Sequence, residues 1–453
     1  MSPENGNELV KIAIASKDMY AAVAVYDVAQ GQDQFELETI FCNERRNILK
    51  LARWEHTPAS VLKVLSQLHD QAVQLRIDKN PSTNGETLQQ QYLEVGSSKL
   101  IDLIAQHCNA SVEVLLEIAT REDDLQIVKA VCTNSNSDDW VLITVDKRFP
   151  AYFDREIAMH SNSPAALLET IYARGSNYIK AAVITHKNCP QSLLDKASYE
   201  SDATILRHLA ANEHIADSVL VRLSQHAEAS VRRVAASNLM LPNIEIDKLA
   251  RDKVVAVRRA VASRSNLAPS LLQYLAKDSY HWVRLWVARN PAMPASLLAE
   301  LAKDENKDVR RAVARNPKCP MDLLKQLAQD DISWVRAAVA YQENAPVDLL
   351  LQLQHDDDVD VLCGVANNAH TPPTVLQRLS QSIKDDIRRG VILNSDASRE
   401  TLLPLLEDPY YLHRLLLVGN KALFDEDKWT MHDDSDPSVR FIVFRWFARK
   451  FMP

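Results

Sequence analysis

Apolar residues recur along this chain in a fixed double beat. From Val309 the sequence reads VRRAVARNPKCPMDLLKQLAQDDISW; from Val283 it reads VRLWVARNPAMPASLLAELAKDENKD, and from Val257 it reads VRRAVASRSNLAPSLLQYLAKDSYHW. Stepping by 26 from Ile101 lands on Ile127, Phe153, Ile179, Ile205, Val231, Val257, Val283, Val309, Val335, Val361, Ile387, His413 and Val439. All but His413 are apolar, and no gap is needed. Three looser units can be placed upstream, near Met19, Asn47 and Val73. A repeat of fixed period overrides any division of the 453 residues into ordinary globular domains by length.

With the Val numbered 1, positions 1, 4, 5 and 8 (Val309, Ala312, Val313 and Asn316) fall on one stripe of a short amphipathic helix. Position 6 is small in Ala210, Ala236, Ala262, Ala288, Ala314 and Ala340, which lets a neighbouring helix approach closely. Position 12 is proline in Pro164, Pro190, Pro242, Pro294, Pro320, Pro346 and Pro372, a residue that suits the first turn of a following helix. Leu323, Leu324, Leu327 and Ala328 form the stripe of that second helix. Helices of about ten residues are too short to be stable alone in water. Only stacked neighbours can bury both stripes. The expected fold is therefore all-α, a right-handed α-solenoid of about seventeen 26-residue two-helix repeats. Divergent N-terminal repeats or a cap are expected over residues 1–100, and regular repeats over 101–438. A C-terminal capping helix is expected over 439–453, its aromatics Phe441, Phe444, Trp446, Phe447 and Phe451 closing the last apolar face.

The period, the Val-Arg-Arg-Ala-Val-Ala-x-Asn-Pro segment and the Pro-x-x-Leu-Leu-x-x-Leu-Ala segment resemble the leucine-rich repeat variant family, a HEAT/armadillo-like helical solenoid. The resemblance is good over about residues 101–445 and loose over the first hundred. It implies units that pair an α-helix with a second, 3₁₀-like helix. Founding members of the family also carry an iron–sulfur module on clustered cysteines. Here Cys42, Cys108, Cys132, Cys189, Cys319 and Cys363 are all at least 24 residues apart, so that module and its redox role are not implied. Free, packed thiols are the expectation, with no metal and no cofactor.

The polar positions divide into two groups. Position 22 is aspartate in Asp252, Asp278, Asp304, Asp330, Asp356, Asp408 and Asp434, and position 2, six residues on, is arginine in Arg258, Arg284, Arg310, Arg336, Arg414 and Arg440. Such a spacing predicts aspartate caps and Asp–Arg pairs that fix stacking. Position 8, asparagine in eight units, is expected to satisfy free backbone groups at a helix end. Positions 3, 7 and 26 point away from the core on the helical wheel, where no packing demand fixes them. There the chain places Arg233, Arg259 and Arg311 (position 3), Arg289, Arg315 and Tyr341 (position 7), and Trp282, Asp308 and Trp334 (position 26). Residues 231–340 hold 19 Lys+Arg against 11 Asp+Glu, whereas the whole chain has a net charge of −8. The basic middle between acidic ends marks these nine residues as a candidate partner-binding stripe.

No phosphate-binding glycine loop, dinucleotide fingerprint or zinc-protease motif occurs, and His186, His281, His355 and His413 lie in different units. The expectation is a non-catalytic, cytoplasmic protein-interaction scaffold, with no secretory leader and no membrane partner, that offers a basic surface to an acidic protein or peptide. The alternative is nucleic-acid binding. Its narrowest form is a HEAT-like DNA glycosylase, to which Trp282, Asp308 and Trp334, ringed by Arg289, Arg311 and Arg315, are similar in residue type.

Overall fold

A computed structural model describes residues 2–94 and 97–452. Among them the regular structure is helical throughout: short α-helices follow one another two per repeat, and no strand occurs. The chain divides into two compact units, one of Met1–Leu209 with Trp429–Pro453, the other of Ala210–Lys428.

In the second unit the repeat is most regular. First helices such as Val255–Ala262, His281–Ala288, Lys307–Ala314, Ser333–Ala340 and Val359–Asn367 stack on one another in order, and second helices such as Ala295–Leu301, Met321–Leu327 and Val347–Leu353 pack behind them. Val309, Val313 and Ala314 are wholly buried and Ala312 nearly so, as are Leu323, Leu324 and Leu327 of the second helix. These helices have seven to nine residues, so their stability comes from neighbours rather than from length. The second helices are α-helical, not 3₁₀ as the family resemblance implied; the 3₁₀ form is confined to Leu403–Glu407 among the described residues. Proline stands one residue earlier than expected. Pro294, Pro320 and Pro346 are the N-caps of the second helices, and the carbonyl of Pro320 accepts from the amides of Leu323 and Leu324.

Position 6 is small because position 4 of the next repeat faces it. At Gly364 a Cβ would come within 2.6 Å of the Ala340 Cβ, and at Gly390 within 2.8 Å of the Ala366 Cβ. Position 8 ties adjacent repeats together. The Asn316 side-chain amide donates to the carbonyls of Ala288 (2.7 Å) and Asn290 (3.0 Å), at the end of the preceding first helix, while its Oδ1 accepts from Lys318 N. The helix end that it satisfies therefore belongs to the neighbour. Gln342 does the same for Ala314 and Asn316, and in the first unit His160 and His186 reach the carbonyls of Asn134 and His160.

The Asp–Arg pairs differ from the expected six-residue pairing. Arg310 forks onto Asp330, 20 residues later, with Nε and Nη2 at 2.6 and 3.0 Å from its oxygens. From Asp304, six residues earlier, Arg310 takes only the backbone carbonyl, at 2.9 Å. Arg258–Asp278, Arg284–Asp304 and Arg336–Asp356 repeat this geometry. The position-2 side chain points toward the next repeat, so the carboxylate within its reach is the one in that repeat's preceding loop, where Asp330 accepts from the amide of Ile332, the N-cap of the following first helix.

In the first unit, the helix Pro437–Phe451 buries Phe441, Phe444 and Phe447. It packs on the helices Gly6–Ser16 and Met19–Val25, with the Phe441 and Trp54 rings 4.6 Å apart.

Candidate functional site

Ladder and core use positions 1, 2, 4, 5, 6 and 8 of each first helix, which leaves 26, 3 and 7 on the remaining face. Trp282, Trp334 and Tyr341 are 50%, 49% and 44% exposed there, far above what a core aromatic shows. Arg259, Arg289 and Arg315 are exposed, whereas Arg233, Asp308 and Arg311 are half-buried. At position 3, therefore, Arg233 and Arg311 are partly covered while Arg259 stays exposed.

Four of the nine residues meet in one groove. Arg311 and Arg315 on the helix Lys307–Ala314 and its C-cap, Trp334 and Tyr341 on the next repeat, and Asp360 on the one after line an open groove of about 400 Å³, floored by Ala337 and Ala338. Alanine at these two positions creates the room. The Trp334 ring has Lys307 Nζ 4.8 Å from its centroid and the Arg311 guanidinium carbon at 6.0 Å, so two cations flank one indole. Trp282, Asp308, Arg233 and Arg259 do not line this groove. Trp282 instead lies beside His281, ring centroids 5.1 Å apart, and Arg289 lies 5.3 Å from the Trp286 ring.

The electrostatics separate the groove arginines from the ladder arginines. The ladder guanidiniums of Arg258, Arg284, Arg310 and Arg336 each have a carboxylate; hydrogen bonding by Asp356, for example, holds Arg336 above its ordinary pKa. The side chains of Arg289, Arg311 and Arg315 make no hydrogen bond or ion pair among the described residues. Burial, and then the like charges of Arg311 and Arg289, hold the Arg315 guanidinium below its ordinary pKa. The Arg311 Nε is enclosed without an acceptor, a situation that costs about 1–3 kcal/mol.

Lys307 and Asp360 were not among the expected site residues. Lys307 adjoins position 26, and Asp360 occupies position 26 two repeats beyond Asp308, so the register itself pointed to both. Of the cysteines, Cys132, Cys319 and Cys363 are buried and Cys108 is exposed. Burial pushes the Cys132 and Cys319 thiols up to about 12. No helix among the described residues is long and apolar enough to cross a membrane.

Comparison with known proteins places these residues in a repeat context. Residues 285–343 match the Leucine Rich Repeat Variant domain, a stretch that contains Arg289, Asp308, Arg311, Arg315, Trp334 and Tyr341. A solved structure described as a leucine-rich repeat variant with a novel repetitive protein structural motif is 25% identical. It covers 54% of this chain and 87% of its own, with a TM-score of 0.32. Kap121p is 14% identical over 97% of this chain and 54% of its own, with a TM-score of 0.31, so the chain spans about half of the Kap121p length. UNC-45 from Drosophila melanogaster is 13% identical over 97% of this chain and 74% of its own, with a TM-score of 0.21. No curated protein sequence matches the chain.

Proposed function

We propose that this helical-repeat protein is a non-catalytic scaffold that captures an acidic protein or peptide on the face carrying Arg289, Arg311, Arg315, Trp334 and Tyr341. The observation that carries this reading is the contrast between two sets of arginines. Arg258, Arg284, Arg310 and Arg336 at position 2 are each forked onto an aspartate, whereas Arg289, Arg311 and Arg315 crowd together without an ion pair, beside half-exposed aromatics. Keeping like charges together unpaired is unfavourable in the isolated chain and becomes favourable when an anionic group arrives. Arg259, Trp282 and Arg233, on the same positions of preceding repeats, extend the face for a longer partner. The test is capture of a glutamate-rich protein segment by wild type and by R259E/R311E. Strong loss of capture with a nearly unchanged melting temperature is expected; equal capture by both proteins sinks the reading.

Nucleic acid is the second reading, since arginine forks onto phosphate as well as carboxylate. Asp360 on the groove wall and the chain's net charge of −8 weigh against it, because neutralising phosphates drives such binding. Fluorescence anisotropy with a short duplex and a single strand at two salt concentrations decides between them. Salt-sensitive oligonucleotide binding without capture of the acidic segment reverses the order. Nothing favours a glycosylase: Asp308 lies outside the groove that holds Trp334.

A further inference from the structure

The groove beside Trp334 continues past Asp360. A second groove, of about 440 Å³, shares Tyr341 and Asp360 with the first and runs on along Cys363, Asp386 and Arg389. Its charge is of the opposite sign. Burial, followed by Asp386, Asp360, Asp358 and Asp385, raises the Cys363 thiol to about 11. The Tyr341 hydroxyl, raised chiefly by burial, is pushed further up by Asp360 and Asp386 while Arg315 pulls it down. Tyr341 stands between the arginines of the first groove and the aspartates of the second.

Resting on the reading of this face as a protein-binding surface, we infer that the two grooves form one bipolar cleft for an extended peptide carrying an acidic and a basic side chain about five to nine residues apart. The acidic side chain goes to Arg311 and Arg315, the basic one to Asp360 and Asp386, and an apolar residue between them lies over Trp334 and Tyr341. The spacing follows from the repeat. Asp360 and Asp386 belong to the second and third first helices after that of Arg311, and packed helices lie about 8–10 Å apart. The span is thus about 16–30 Å, which an extended chain crosses at about 3.3 Å per residue. A peptide of either single charge is repelled at one end of the cleft.

The probe is a fluorescein-labelled decapeptide with Glu at positions 1 and 2, Leu at 5, Lys at 8 and 9, and Gly, Ser or Pro elsewhere, titrated with the full chain. Two controls replace both Lys by Gln or both Glu by Gln. Wild type should bind the mixed peptide about tenfold more tightly than either control, the worth of two exposed ion pairs. D360N/D386N should lose that preference yet bind the acidic control at least as well as wild type, and R311Q/R315Q should lose both peptides. Equal binding of mixed and acidic-only peptides by wild type overturns the bipolar cleft and leaves the acidic-partner reading standing. Binding of neither, or tightest binding of the basic-only peptide, overturns both.

Discussion

Arg440 forks onto Asp18 across 422 residues of sequence, with Nε and Nη2 at 2.9 and 3.3 Å from the two carboxylate oxygens. Its Nη1 donates to the carbonyl of Asp434, six residues earlier, at 2.6 Å. Arg258 makes the same three contacts with Asp278 and Asp252. A ladder arginine ordinarily finds its carboxylate 20 residues downstream. Asp18, N-cap of the helix Met19–Val25, takes that place for Arg440, so Met19–Val25 stands to Pro437–Phe451 as a following repeat.

This relationship makes a stability prediction. R440Q and D18N should each destabilise the protein by about 1–3 kcal/mol, since each strands a charged partner that is only about one-fifth exposed. The double variant should cost clearly less than the sum. Urea unfolding of the four proteins measures the coupling, and strict additivity would show that the fork contributes nothing.

Gly364 tests how closely the repeats pack. Alanine is the better helix former by about 1 kcal/mol. At Gly364, however, the new Cβ meets the Ala340 Cβ at 2.6 Å and the Ala337 carbonyl oxygen at 3.3 Å. Overpacking should win, and G364A should lower stability by about 1–3 kcal/mol. G419A, whose Cβ meets nothing nearer than 3.7 Å, should be neutral or slightly stabilising. Thermal melts of both variants check the pair, and a stabilised G364A would contradict the packing.

Asp78 gives a pH signature. It is 1% exposed, neither carboxylate oxygen has a hydrogen-bond partner among the described residues, and burial raises its pKa from 3.8 to about 7. The folded chain therefore holds a proton that the unfolded chain has lost. The contribution of this group is fully present below pH 3.8 and is lost as pH rises through about 7. D78N, which resembles the protonated form, should gain stability over wild type as pH rises from 5 to 8.5, by about 2–4 kcal/mol at the upper end. A wild-type-to-variant gap that stays flat with pH refutes the assignment.

Much of this architecture was legible in the period. Val309 and Ala314 could be assigned to the core because a 26-residue beat leaves only one stripe per helix that neighbours can cover. Partners were less legible than positions. Asn316 reads as a helix-end residue, but the sequence does not say whose helix end it satisfies. Arg310 lies at fixed distances from both Asp304 and Asp330, and periodicity alone cannot choose between them; the direction of the side chain does. Trp334, Tyr341, Arg311 and Arg315 were identifiable as a group because positions 26, 3 and 7 share a wheel face. Asp360 and Asp386 occupy that same face, but they read as part of the acidic remainder of the chain rather than as the far wall of a groove. The fork between Arg440 and Asp18 joins segments with no periodic relation in sequence, and only three-dimensional packing reveals it.

The most direct test sets binding against stability for two neighbouring pairs of arginines. R311E/R315E and R284E/R310E reverse equal charge within the same stretch of chain, the first on the groove and the second in the ladder. A labelled glutamate-rich peptide and a thermal melt are applied to both variants and to wild type. R311E/R315E should abolish peptide binding and shift the melting temperature little, whereas R284E/R310E should lower the melting temperature sharply through its stranded Asp304 and Asp330. If R311E/R315E binds the peptide as wild type does, or if it unfolds as readily as the ladder variant, the separation between residues that hold the repeats together and residues that recognise a partner is wrong.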